Sequence, residues 1–402
     1  MGTKVNSNYE DLITYTRASK GHALRPVSYG TELVTNGTYD TDLSGWATAS
    51  GYASFTQSSG QATGTSNGSS APQLNQSIST TVGSIYQVKY ELVSSTSAGA
   101  RFRVGTTDTG NQVFEEVVGT TTGARTKYIV ATATTTYISI GYGPSTNGLT
   151  QTFDNISVKE VLFDQPDGTL TLFEHPENVP RVEYDADGNR LGLLVEESRT
   201  NLVTYSDVDT TNWTGGAFAN ISTESVSNPF GFSSVVKVVP TTDTAGGAPK
   251  RTVQKSINVT TGTTYTYSAF VKAAGYNAAY IIFTDRPNVY GGVAYDLSTA
   301  SLIELDGGNQ GTLSNPFIED FGDGWYRIGF SHDGDGGKDA SNGVAVGFVP
   351  TGLTKTVNYG QSSFAGDGIS GGYVAGVQVE AGSFPTSYIK TTVNTATRSA
   401  DV

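Results

Sequence analysis

The sequence predicts an all-β chain built from two β-sandwiches. Composition, side-chain alternation and an internal repeat carry that prediction. Among 402 residues there are 49 Gly and 22 Tyr, with abundant Thr and Val, a mixture that favours many short strands joined by turns. No sustained 3-4 spacing of apolar residues runs over three turns, so helices are not expected. The segments "TVGSIYQVKYEL" (81–92) and "TTGTTYTYSAFV" (260–271) each place a Gly turn before a strand opened by tyrosine.

Each repeat copy opens alike, with "LVT" at 33–35 followed by Trp46 and "LVT" at 202–204 followed by Trp213. In the first tyrosine-opened strand Tyr86, Val88, Tyr90 and Leu92 share one face, and Gln87, Lys89 and Glu91 the other. Such alternation fits a strand with one side on a core and one in water. Tyr265, Tyr267, Ala269 and Val271 occupy the matching face of the second copy. The copies close with "FDNISVKEV" (153–161) and "VAGVQVEAG" (374–382), so Tyr86 should match Tyr265 and Ile156 should match Val377. The first pair of landmarks is 70 positions apart and the second 112, leaving about 42 extra residues in the second copy. These are assigned to "DRPNVYGGVAYDLSTASLIELDGG" (285–308) and its neighbours.

Between the copies, "VEYDADGNRLGLLVE" (182–196) reads as a hairpin around Asp185, Asp187, Gly188 and Asn189. A hairpin this small is marginal alone, so its Leu191, Leu193 and Val195 are expected to clasp a neighbouring domain or subunit. The division that follows is an N-terminal arm (1–30), a first sandwich (31–160), a hairpin connector (161–199), a second sandwich (200–390) and a tail (391–402). The arm carries a net charge of +2 and the remainder -15. That asymmetry suits an arm that leaves an acidic body and adds to a sheet edge of a partner chain.

Lys and Arg total 24 against 37 Asp and Glu, a net charge of -13, which argues against nucleic acid as the main ligand. The absence of cysteine excludes disulfides and thiolate sites. No apolar run is long enough for membrane insertion, and the first 15 residues hold no apolar core of a secretion signal. No catalytic set is assigned. "GTSNG" (64–68) and "GISGG" (368–372) match a nucleophile pattern without its strand-turn-helix context. Glu115-Glu116 and Glu196-Glu197 are neighbours on strands, so each pair points to opposite faces and reads as solvated charge. "SHDGDGGKDAS" (331–341) offers Asp333, Asp335 and Asp339 as oxygen ligands for calcium, although a plain turn is the first reading of the stretch. Trp46, Trp213 and Trp325 sit at strand-like positions and are read as core. Tyr142, Tyr276 and Tyr290 fall near Gly or Asn in loop-like surroundings, where a ring can stack on a sugar.

"YDADGNRLGLLVEESRTNLVTYS", followed by Trp213, resembles a connector of tailed-bacteriophage virion proteins, in which a YD-turn-GLL-E-x-x-R-T-N-L run precedes a jelly-roll domain. The closing "QVEAGSFPTSYI" (378–389) and the terminal "TRSADV" are similar to the same family, and "YTRAS" (15–19) looks like the element that usually begins the connector. Here that element stands far upstream, so the first sandwich is inserted within the connector. That sandwich opens with "ELVTNGTYDTDLSGW" (32–46), similar to family 4/9-type carbohydrate-binding modules. The resemblance implies a non-enzymatic virion surface protein, a head decoration or fibre or a tail appendage, with jelly-roll sandwiches. It implies other virion proteins as partners, a homo-oligomer (a trimer), host surface glycan as the target of adhesion, and no cofactor, structural calcium being the one candidate. A dedicated host-glycan receptor-binding tail protein and a polysaccharide depolymerase are the alternatives.

Overall fold

A computed structural model describes residues 15–228, 235–243, 251–260, 262–285, 289–306, 312–333, 342–352 and 364–402. Among them every regular element is a strand. The chain divides into two compact units, one of Val27–Gly168 and one of Met1–Pro26 with Thr169–Val402.

The Val27–Gly168 unit is a sandwich. One sheet runs Phe55–Ser58, Gln61–Thr65, Thr150–Phe163, Ile85–Ser95, Gly123–Val130 in spatial order, and Val27–Tyr29 pairs with the far end of the long strand. The other sheet runs Ala47–Thr48, Gln73–Ser79, Thr135–Gly141, Arg101–Gly105, Phe114–Val117. Between them lies a core that includes Trp46, Leu74, Tyr86, Val88, Tyr90, Phe102, Ile138 and Val158. Tyr90 stacks on Phe102 with ring centroids 3.8 Å apart.

The second unit repeats this design. One sheet runs Ala219–Glu224, Val235–Pro240, Gly371–Ala381, Tyr265–Ala274, Trp325–His332, Leu313–Asp320; the other runs Thr214–Gly215, Thr252–Ile257, Asn342–Val349, Ala278–Asp285, Val289–Asp296, Ser301–Asp306. Taken in chain order the strands correspond one to one with those of the first sandwich, apart from Ser301–Asp306 and Leu313–Asp320. These two hold the insertion. The expected span of 285–308 is therefore displaced: Val289–Asp296 has a counterpart in Phe114–Val117, and the extra chain begins later.

The correspondence extends to single hydrogen bonds. The Tyr86 hydroxyl accepts from the Thr81 N–H at 2.9 Å, and that of Tyr265 from the Thr260 N–H at 3.0 Å. The Leu33 N–H bonds Val158 O at 3.0 Å, and the Leu202 N–H bonds Val379 O at 2.8 Å. The Trp46 indole donates to Thr35 O and the Trp213 indole to Tyr205 O. Each closing strand bulges one residue before the predicted landmark, at Asn155 (φ 54°) and Gly376 (φ 52°), so Ile156 and Val377 are equivalent. All three tryptophans are buried, at 9% exposure or less, as core positions require.

The stretch expected as an arm falls in two parts. Residues 1–14 lie outside the described residues, and the rest is folded into its own chain. Gly21–Tyr29 is a largely buried strand, and Arg17, His22, Leu24 and Arg25 are buried. This half cannot leave to find a partner, because Arg17 would abandon the buried Asp401 carboxylate and the carbonyls of His175 and Pro176. The connector forms the expected hairpin, with Arg181–Tyr184 paired to Arg190–Leu194. Val182 and Tyr184 are buried, while Leu191, Leu193 and Val195 stand exposed at 66%, 43% and 62%.

Candidate functional site

Two constructions in the molecule exceed what a sandwich core requires. One is a buried ionic clasp in the second unit. Arg17, Arg181, Arg398 and Asp401 are each at most 8% exposed. Asp401 receives Arg17 at 3.4 Å, Arg181 at closer range, and the Tyr15 hydroxyl. Glu196 receives Arg181 at 2.8 Å, Arg398 at 3.2 Å, and both the N–H and the hydroxyl of Ser387 at 2.6 Å. Backbone bonds lock the same segments, from Asp401 N–H to Glu196 O at 2.9 Å and between Thr16 and Val402 in both directions. Burial alone would raise the Asp401 and Glu196 carboxyls, but the hydrogen bonds and guanidinium charges outweigh it and hold both below the usual carboxylate value. Reading Glu196-Glu197 as solvated charge is thus corrected: Glu197 is exposed, but Glu196 turns inward because two buried guanidiniums need its charge.

The second construction lies on the outer face of the five-stranded sheet of the first sandwich. Leu74, Ile138, Ile140, Phe102 and Val104 point into the core, so the alternate residues of the same strands face away. Strand register aligns them in two rows, Asn75–Ser139–Arg103–Glu115 and Gln73–Gly141–Arg101–Val117. Glu115 receives Arg103 Nε at 2.6 Å, Arg101 Nη1 at 3.1 Å and Asn111 Nδ2 at 3.1 Å. Burial works to raise the Glu115 carboxyl, but Asn111, Arg103 and Arg101 hold it below the ordinary value, so it stays ionised.

Tyr142 closes this face. Its ring lies 3.9 Å from the Arg103 guanidinium carbon and 4.8 Å from that of Arg101, with Tyr52 at 6.2 Å. The ring gets there through three successive residues in left-handed backbone, Gly141 (φ 109°), Tyr142 (φ 72°) and Gly143 (φ 118°). A Cβ on Gly141 would meet Pro72 O at 2.3 Å, so only glycine serves there. The strained residue is pinned on both sides, by Tyr142 N–H to Pro72 O at 2.7 Å and Gln151 Nε2 to Tyr142 O at 2.7 Å. Gln73, 1% exposed, has neither amide atom hydrogen-bonded among the described residues.

Of the sequence candidates, Tyr142 sits in a built site, although one ring face is already covered by Arg103. Tyr276 packs against its own core and accepts the Asp367 N–H at 3.2 Å, so it does not serve as an open platform. Tyr290 belongs to Val289–Asp296, and its side chain lies outside the described residues. Asp333 spends its carboxylate on the Thr312 N–H at 3.1 Å; Asp335 and Asp339 lie outside the described residues. Among the described residues no group of three metal-ligating side chains converges. Sequence reasoning missed Gln73, Arg101 and Arg103, because alternation gives the face of a residue but not its neighbour on the next strand.

No protein family and no curated protein matches the chain. Among solved structures it is similar to the ANXUR2 extracellular domain from Arabidopsis thaliana, at 10% identity over 91% of this chain and 89% of that one, with a TM-score of 0.27. It is also similar to the tandem CBM51 modules of Sp3GH98, the family 98 glycoside hydrolase from Streptococcus pneumoniae SP3-BS71, at 11% identity over 91% and 97%, with a TM-score of 0.19. Likeness at that level carries no functional argument.

Proposed function

We propose that this chain is a non-enzymatic structural protein of the bacteriophage particle surface, a head decoration or fibre or a tail appendage, that displays its sandwiches for adhesion to host glycan. One observation supports this above the others. The strings that resemble the phage connector are far apart in sequence, yet they meet in one buried clasp: Tyr15 and Arg17 from "YTRAS", Glu196 from the hairpin exit, Ser387 from "PTSYI", and Arg398 and Asp401 from "TRSADV". The motif thus works as an intramolecular mount on which an extra sandwich can be inserted. Other virion proteins are the partners in this reading, the chain assembles as a homotrimer, and the exposed Leu191, Leu193 and Val195 stripe serves attachment. Mass spectrometry of purified particles tests it. The chain should be present at a fixed ratio to the major capsid protein, and its absence from particles would overturn the virion assignment.

Polysaccharide cleavage takes support from one cavity of about 420 Å³ beside the hairpin, lined in part by Glu183, Glu319, Asp320, Tyr184 and Phe321. The Glu183 carboxyl there is pushed up to about 7, first by burial and then by Glu196 and Glu319, a condition suited to a general acid. Incubating the protein with host polysaccharide separates the readings. Our reading expects no new reducing ends, and ends that vanish in Glu183→Gln would establish the hydrolase.

A further inference from the structure

The adhesion reading leaves open what kind of sugar is bound, and the outer face of the five-stranded sheet speaks to that. Arg101 and Arg103 share a single carboxylate, Glu115, so the cluster keeps one uncompensated positive charge in a chain of net charge -13. The only side-chain hydrogen bond Arg103 makes among the described residues uses Nε, which leaves its terminal nitrogens uncommitted there. Arg101 Nε is buried without a partner among the described residues. The Arg103 fork is nevertheless held in place, by Glu115 along one edge and by the Tyr142 ring across its face. A planar fork with a fixed plane and free terminal N–H groups is complementary to a second carboxylate, which it can bind through two parallel hydrogen bonds. Alongside, Gln73 holds one donor group and one acceptor, both buried, that nothing among the described residues uses, and the equally buried Asn75 stands two residues on along the same face. A buried amide without partners carries a cost in the free protein that a ligand hydroxyl would remove. The strained Tyr142 backbone holds the ring over the guanidiniums, whereas core packing does not call for a ring there.

We propose that this face is a receptor for a carboxylate-bearing sugar, with Arg103 and Arg101 on the acid group, Gln73 and Asn75 on ring hydroxyls, and Tyr142 positioning the guanidiniums. The proposal rests on the adhesion reading and narrows it to acidic glycan, a class that the negative charge of the whole chain would otherwise disfavour.

The test is calorimetric titration of the full chain with a glucuronate-containing oligosaccharide and with its carboxyl-reduced counterpart, which differ only in the acid group. The acidic sugar should bind at least about tenfold more tightly, with a preference that weakens in high salt. Arg103→Met should abolish the preference, and Arg103→Lys, which keeps the charge without the fork, should lose most of it. Gln73→Leu guards against mere misfolding, since it should weaken binding of both sugars without lowering the melting temperature. Equal affinity for the two sugars would overturn the acidic assignment and leave adhesion standing. Inorganic phosphate competing as well as the acidic sugar, with Gln73→Leu binding unchanged, would reduce the face to a plain anion site. No binding of either sugar at millimolar concentration, in a protein that still adheres to host cells, would overturn the placement of the site on this face and leave the adhesion reading to other residues.

Discussion

Tyr142 is the residue at which backbone and side chain make opposing demands. A non-glycine residue at φ 72° costs on the order of 1–3 kcal/mol, set here against the half-buried ring's packing on two guanidiniums. Such strain persists where the surroundings over-determine it, as the Pro72 and Gln151 bonds do here. Glu183 is the other residue out of balance. Burial raises its carboxyl, Glu196 and Glu319 raise it further to about 7, and Arg181 and Arg327 pull the other way without prevailing. The folded chain therefore keeps a proton that the unfolded chain loses, across the interval from about 4.5 to about 7. Stability is undiminished by this group below that interval and falls as the pH rises through it. Glu183→Gln should accordingly match the wild type near pH 4.5 and exceed it at pH 8 by roughly 1–3 kcal/mol in urea unfolding.

Among the elements, the closing strands show how one constraint is met by two sequences. Both bulge at a residue in left-handed backbone, Asn155 in one sandwich and Gly376 in the other. Asn tolerates that conformation, and its side chain also donates to Glu91 Oε2 at 2.8 Å. At Gly376 a Cβ would also approach Phe270 Cδ2 to 2.5 Å, inside the packed aromatic cluster of Phe270, Phe321 and Tyr388. Gly376→Ala should therefore cost about 2–4 kcal/mol in chemical denaturation, while Asn155→Ala should cost about 1 kcal/mol. These bulges also mark the limit of what could be read beforehand. The tyrosine-opened strands, the tryptophan anchors and the closing strands were legible because their alternation and spacing repeat. The insertion was misplaced because Val289–Asp296 looks foreign in sequence yet occupies an existing place in the sheet. Tyr142 was legible as a loop aromatic, but Gln73, Arg101 and Arg103 were not, since only cross-strand register puts them in adjacent rows. The clasp was hidden for the same reason, its Tyr15–Asp401 contact joining positions 386 apart.

For the whole molecule, the clasp ties the beginning and end of one unit through charges that water does not reach. Asp401→Ala would leave Arg17 and Arg181 buried without their shared carboxylate, which should cost about 3–5 kcal/mol. By scanning calorimetry the loss should fall on the unit of Thr169–Val402, with the transition of the Val27–Gly168 unit unmoved. A chain beginning at Thr31 should weaken both units, because it lacks Arg17, His22, Leu24 and Arg25 of the one and the Val27–Tyr29 strand of the other. Within this scheme the clasp mounts and the inserted sandwich binds, so a change at the binding face should impair adhesion without disturbing assembly. The most direct measurement is the adsorption rate of particles carrying Tyr142→Ala against wild-type particles, at matched occupancy of this protein. The account predicts a fall of about tenfold or more; adsorption at the wild-type rate would contradict it.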